Sequence, residues 1–357
     1  MNVYELTRAL VDIESISDNE AEVALYIDGY LQGLAASTGG RVEKMEVEGP
    51  RFNVLACWGE PVVTLSTHMD TVPPFFPSRE DDEFIWGRGA CDAKGIIAAM
   101  IAAAEQLLGE GVRNFALLFV VGEERSSIGA ATAEKSPRGS RYLVNGEPTE
   151  NKLGLASKGI LRFEVIASGR MAHSAYPELG ESAIDALLDA LEAIRRVPLP
   201  SDELLGPSTL NIGTISGGRA PNVIPDAAKA EIMVRLVGDP EPIREAYARA
   251  VGTRAELKEV LCIRPTRFVS VDGLPTTIVS YTTDVPVFEK SWGEPLLLGP
   301  GSIHVAHTPD ERIPKRELME AVSLYANVVK KLLAHAGQAQ GGRAKEGQPV
   351  QQAQRKR

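Results

Sequence analysis

Five side chains of this 357-residue chain, His68, Asp92, Glu124, Glu147 and His307, are donors of the kind that hold zinc, cobalt or manganese. Five donors exceed what one tetrahedral ion takes. If Asp92 bridges, each of two ions receives one His, one Glu and one oxygen of the shared Asp, and positions remain for a bridging water. That is the donor count of a two-metal hydrolytic site. Asp92 also opens an Ala-rich segment, residues 93–108, so by itself it reads as the N-cap of a helix.

Glu123 and Glu124 are adjacent acids behind a strongly apolar run, an unfavourable pairing unless a cation or a proton is present. Their side chains diverge, so Glu124 is assigned to the metal and Glu123 to the water, as general base and then general acid. Taken alone, the pair would be a solvated loop start. Asp70 lies two residues after His68 and faces the same way in extended chain, where it accepts the second N–H of the ring and orients it.

Four short apolar runs must position these groups. VVTLST (62–67) leads into His68, FALLFVV (115–121) into Gly122-Glu123-Glu124, RYLVN (141–145) into Gly146-Glu147, and PLLLG (295–299) into a Gly-Pro-Gly turn and His307. Ligands in open α/β sheets sit at the strand ends, so four such strands would converge their side chains on one crevice.

In order, the segments STHMDTVPP, GRGACDAKGII, VVGEER, NGEPT and GPGSIHVAHTPDERI resemble the motifs of a metallopeptidase family. It includes acetylornithine deacetylase, succinyl-diaminopimelate desuccinylase, aminoacylase and glutamate carboxypeptidase. The resemblance spans residues 1–335. It implies a co-catalytic dinuclear zinc hydrolase that cleaves an amide next to a carboxylate. His68 and Glu147 would then serve one metal, Glu124 and His307 the other, with Asp92 as bridge, Asp70 orienting His68, and Glu123 as base.

His304 is read as lining the pocket rather than binding metal. GRMAHSAYPELGES (169–182) also resembles the family, whose histidine here reaches the partner subunit's site and stabilises the oxyanion; that position is His173. Asn222 matches a family asparagine near the same point, and Arg235 would meet a substrate carboxylate. Their ordinary readings are a surface histidine, a turn asparagine and a sheet-face ion pair.

The reaction expected from the resemblance is hydrolysis of an N-acyl, and specifically N-acetyl, amino acid, as in acetylornithine deacetylase and amino-acid biosynthesis. A dipeptidase or carboxypeptidase sharing every ligand is the alternative. A non-catalytic metal-binding regulator would be expected to have lost a ligand or the base, and none is missing.

The fold implied is α/β: a mixed, mostly parallel sheet flanked by helices, like zinc exopeptidases, with an inserted ferredoxin-like α+β domain acting as lid and homodimer contact. A chain of this length exceeds what one core usually supports. The catalytic domain is expected over 1–157 and 263–335. Residues 158–262 read as strand, helix, strand, strand, helix, strand, the ferredoxin-like split order. Residues 336–357, rich in Gln, Gly and basic groups without apolar periodicity, are expected to be disordered.

A net charge of −10 argues against nucleic acid, which needs a basic stripe. No run approaches the ~20 apolar residues of a membrane span. The start lacks the basic-then-apolar order of a signal peptide, so a cytoplasmic location is expected. Cys57, Cys91 and Cys262 read as small buried residues, Cys91 included despite its place beside Asp92.

Overall fold

The strand Phe115–Val120 buries every side chain it carries. Phe115, Leu117 and Phe119 join one core, with Val54, Leu65 and Ile97. Ala116, Leu118 and Val120 join another, with Leu55, Leu143 and Trp292. Side chains alternate across a strand, so a continuous apolar run encodes a strand covered on both faces. The structure is a computed structural model that describes residues 1–288 and 291–345.

In chain order, the main elements begin with α1 (Val3–Val11), α2 (Ala21–Thr38), β1 (Arg41–Glu48), β2 (Arg51–Trp58), β3 (Val63–His68), α3 (Lys94–Gly109), β4 (Phe115–Val120), α4 (Ile128–Glu134), β5 (Tyr142–Asn145) and β6 (Leu153–Ser157). They continue with β7 (Gly159–Ser168), α5 (Ala183–Arg195), β8 (Thr209–Gly217), β9 (Ala227–Leu236), α6 (Glu241–Val251) and β10 (Glu256–Ile263), and end with β11 (Glu294–Leu297) and α7 (Lys315–Lys345).

Two compact units result. The first holds Met1–Leu155, Phe268–Thr277 and the chain from Thr283 on; the second holds Ala156–Arg267 and Ile278–Thr282. The second crossing back was not expected from the sequence. It follows from pairing, since Lys158 N–H donates to the Val279 carbonyl at 3.3 Å and ties that segment to the second unit.

The sheet of the first unit runs β1-β2-β4-β3-β5-β11-β6. The pairs β4–β3, β3–β5 and β5–β11 are parallel, while β1–β2 and β2–β4 are antiparallel. The four apolar runs that precede the candidate donors are therefore four adjacent parallel strands, and their C-terminal ends lie along one edge. Residues of α1, α2, α3 and α7 cover one face; α4 and the turn around Phe288 cover the other. The result is a three-layer unit.

Two boundaries differ from the expectation. Asp92 does not cap α3: the helix begins at Lys94 with Ala93 at the cap position and no side-chain cap bond. The chain from 336 stays helical, because α7 extends to Lys345. Its buried face, Leu318, Ala321, Tyr325, Val328, Val329, Leu332 and Ala336, keeps helical spacing past 335. The rest of the expected disordered tail, 346–357, lies outside the described residues.

In the second unit the sheet order is β8-β9-β7-β10, antiparallel throughout. Leu187, Leu191 and Ile194 of α5 and Ile243 and Tyr247 of α6 pack on Leu161, Phe163 and Val165 of β7 and Ile232 and Val234 of β9. The strand and helix order is the ferredoxin-like one.

Candidate metal and catalytic site

The edge where the parallel strands end carries the donors. His68 is the last residue of β3. Glu124 follows β4 after the turn at Gly122, whose φ is +75°. Glu147 follows β5 after Gly146, where a Cβ would lie 2.5 Å from side-chain atoms of Ile96 and Met100, so a larger residue would push those α3 side chains aside. Asp92 precedes α3, and His307 lies in the loop after β11.

The two oxygens of Asp92 go to different histidines. Oδ1 lies 2.9 Å from His68 Nε2 and Oδ2 lies 3.4 Å from His307 Nε2. His307 Nε2 is also 2.8 Å from Glu124 Oε1. Donor atoms of His68, Asp92 and Glu124 lie within 4.8 Å of one another. Glu147 is 4% exposed, and its Oε1 has no hydrogen-bond partner among the described residues.

The electrostatics describe a site built for positive charge. Burial and the neighbouring Asp92 push Glu147 well above its ordinary value. Burial, with Glu147, Asp284 and Glu124 adding to it, does the same to Glu123 against the opposing pull of His68. Burial also raises Glu124. Burial would lower His68, but its bonds to Asp70 and Asp92 hold it well above its usual range. His307, bonded to Asp92 and Glu124, is raised to about 10. Acids this crowded are stabilised as carboxylates by a cation, and the orphaned Glu147 oxygen, in the field of Asp92, His68 and Glu124, fits a divalent ion.

Asp70 meets the second ring nitrogen of His68 with its backbone carbonyl as well as its carboxylate. His68 Nδ1 donates to the backbone carbonyl of Asp70 at 3.0 Å, with Asp70 Oδ1 farther away at 3.4 Å. Nδ1 is thereby committed, and Nε2 is the nitrogen available to a cation. The Asp70 carboxylate serves the next loop, accepting the N–H of Glu123 at 3.0 Å, the N–H of Glu124 at 3.1 Å and the Ser17 hydroxyl at 2.7 Å.

Two acids escaped sequence reasoning. Glu311 is buried and accepts from Arg88 at 2.5 Å and from the N–H groups of Gly89, Cys91 and Asp92 at 2.8, 3.3 and 3.2 Å, so it fixes the backbone that presents Asp92. It stands within GPGSIHVAHTPDERI, and its acidic type beside that histidine was the available signal. Asp284 is buried, and burial raises it to about 7 in the field of His68, Asp70 and Glu124. No spacing pattern marks it. Cys91 is buried, its thiol donating to the Ser302 carbonyl at 3.3 Å.

His304 is exposed. In the second unit, His173 and Asn222 come together: Ala172–His173 pairs with Val223–Ile224, and Ser174 N–H donates to the Asn222 carbonyl at 3.0 Å. Both side chains are exposed. Arg235 is half-buried in β9, and burial alone lowers its guanidinium. It has no ion-pair partner among the described residues.

Residues 64–331 match the model of peptidase family M20/M25/M40. The chain belongs to that family. This M20/M25/M40 member is 40% identical to a peptidase M20 domain-containing protein of Schizosaccharomyces pombe, over 92% of this chain and 84% of the relative. It is 38% identical to a probable carboxypeptidase of Aspergillus niger, over 92% and 89%. Its fold matches the crystal structure of a tripeptidase from Staphylococcus aureus with a TM-score of 0.77 at 23% identity, covering 93% of this chain and 98% of the other. No helix among the described residues is long and apolar enough to cross a membrane.

Proposed function

We propose that this M20/M25/M40 member is a metal-dependent exopeptidase that hydrolyses the amide next to the free carboxylate of a dipeptide or short peptide. The observation that carries the metal reading is the division of the Asp92 oxygens between His68 and His307. His68 and Glu147 would hold one ion and His307 and Glu124 the other, zinc in first place. The relative named as a carboxypeptidase moves the substrate from the N-acetyl amino acid expected first to the peptide alternative.

Bound divalent ions supply Lewis acidity toward the scissile carbonyl and make a water acidic near neutral pH. Glu123 would take a proton from the attacking water and pass it to the leaving amine. Arg235 receives the substrate carboxylate through its planar fork, and Asn222 and His304 line the pocket.

His173 stabilises the oxyanion in a partner subunit of a homodimer formed through the second unit. Its surroundings support a covered surface, since Met171, Tyr176 and Leu179 beside it are all exposed. Mixing His173→Ala chains with Glu123→Ala chains is then expected to restore part of the activity. No recovery in confirmed heterodimers would overturn that role.

The test of the reaction is amine release from dipeptides, N-blocked dipeptides and N-acetyl amino acids by zinc- or cobalt-loaded protein, with Glu123→Ala as control. Turnover of the peptides with little of the N-acetyl amino acids is expected. The reverse preference would overturn the exopeptidase reading in favour of the deacylase.

A further inference from the structure

Arg51 opens β2, is 6% exposed, and points its fork at Glu20, which is fully buried. Nε bonds Glu20 Oε2 at 2.7 Å and Nη2 bonds Oε1 at 2.8 Å, while Nη1 lies 3.1 Å from Asp18. A buried ion pair is weak evidence for stability, because a well-packed apolar pair of the same volume does as well or better. Its contacts point to another use.

A Cβ placed on Gly122 would lie 2.8 Å from Arg51 Nη2, so the guanidinium rests against the α-carbon of the residue before Glu123. Asn53, two residues along β2 and so on the same side, accepts the Val121 N–H at 3.1 Å and donates to the Gly129 carbonyl at 2.8 Å. Asp70 accepts the N–H groups of Glu123 and Glu124. Gly122 itself accepts from Ser126 and Ser127 at 3.1 and 2.7 Å. The turn is thus held at its amides by Asp70, at its flanks by Asn53, and against its α-carbon by a cation that Glu20 locks in place.

We propose that Arg51, clamped by Glu20, is a positioning residue for Glu123: it sets where the turn at Gly122 places that carboxylate without touching substrate. The inference rests on the reading of Glu123 as general base. Arg51 makes no hydrogen bond to Glu123, so its effect travels through backbone position. A base displaced by about 1 Å loses on the order of a hundredfold in rate, and supporting residues must hold such a group to about 0.5 Å.

The test is a double-mutant cycle in the metal-loaded, full-length protein. Glu123→Asp by itself reports on the base. Arg51→Met keeps bulk and removes the fork; it is expected to lower kcat about tenfold or more, with KM nearly unchanged and two metal equivalents retained. In its background the Glu123→Asp penalty shrinks, because the shortened and the displaced carboxylate fail in the same way. Arg51→Lys, a point charge without the fork, falls between. If Arg51→Met does not fold, Glu20→Gln, which frees the fork while keeping shape, takes its place in the cycle. Additive effects of the two substitutions would overturn the inference alone. An unchanged kcat in Glu123→Asp would overturn the base reading, and the inference with it.

Discussion

The carboxylate of Asp70 accepts the backbone N–H of Glu124 at 3.1 Å. The residue whose carbonyl orients His68 therefore also fixes the chain at a second candidate ligand. Asp70→Asn replaces one acceptor oxygen by an NH₂ that meets a backbone N–H, donor against donor. Metal affinity is expected to fall about 10- to 100-fold, the usual result of losing a group that supports a ligand. Competition with a chromophoric chelator measures it, and unchanged affinity would show that the loop is held without Asp70.

Glu311 and Arg88 form a buried pair at 2.5 Å. Removing the acid leaves the guanidinium without its partner and three N–H groups around Asp92 without an acceptor. Glu311→Ala is expected to cost about 3–5 kcal/mol, with Glu311→Gln less severe. Denaturant unfolding of both variants tests this; equal stability of Glu311→Ala and wild type would exclude a structural role.

Metal removal follows from the donor set. Zinc added to chelator-treated protein is expected to raise Tm progressively. The gain is about 2.7 kcal/mol when free zinc reaches a hundred times Kd. Asp92→Asn, which removes one of the two oxygens divided between His68 and His307, is expected to flatten that response. A Tm indifferent to zinc in the wild type would remove the metal site from consideration.

Asp284 supplies a pH dependence with a definite sign. Its carboxyl rises from an ordinary 3.8 to about 7 in the folded chain, burial being the main cause. The folded state thus binds the extra proton between those values. The contribution to stability is full below 3.8 and is lost as pH rises through 7. At about 1.36 kcal/mol per unit the upper bound is roughly 4 kcal/mol. Asp284→Asn lacks this loss, so in chelated protein its Tm relative to wild type is expected to climb between pH 4 and 8. A parallel pair of Tm curves would refute the assignment.

The sequence by itself determined which strands the parallel sheet contains and which residue types stand at their ends. Those are local facts: apolar runs long enough for a strand covered on both faces, three of them followed within a few residues by an acid or a histidine and the fourth leading through a Gly-Pro-Gly turn toward His307. The alternation in residues 158–262 likewise sufficed for the ferredoxin-like unit, because its strands and helices each carry a distinct period. Helix α7 ran past 335 because Ala336 continues a buried stripe that polar, glycine-rich composition conceals.

Tertiary structure alone decided how the polar groups share partners. Asp92 gives one oxygen to His68 and the other to His307, and Asp70 spends its carboxylate on the amides of Glu123 and Glu124 while its carbonyl takes the imidazole. Glu311, Asp284 and the Arg51–Glu20 pair came to the site from distant points of the chain. Hydrogen-bonding capacity belongs to a residue type and can be read from a sequence. The choice among competing donors and acceptors depends on distances of a few ångströms, and only packing of the whole chain sets those.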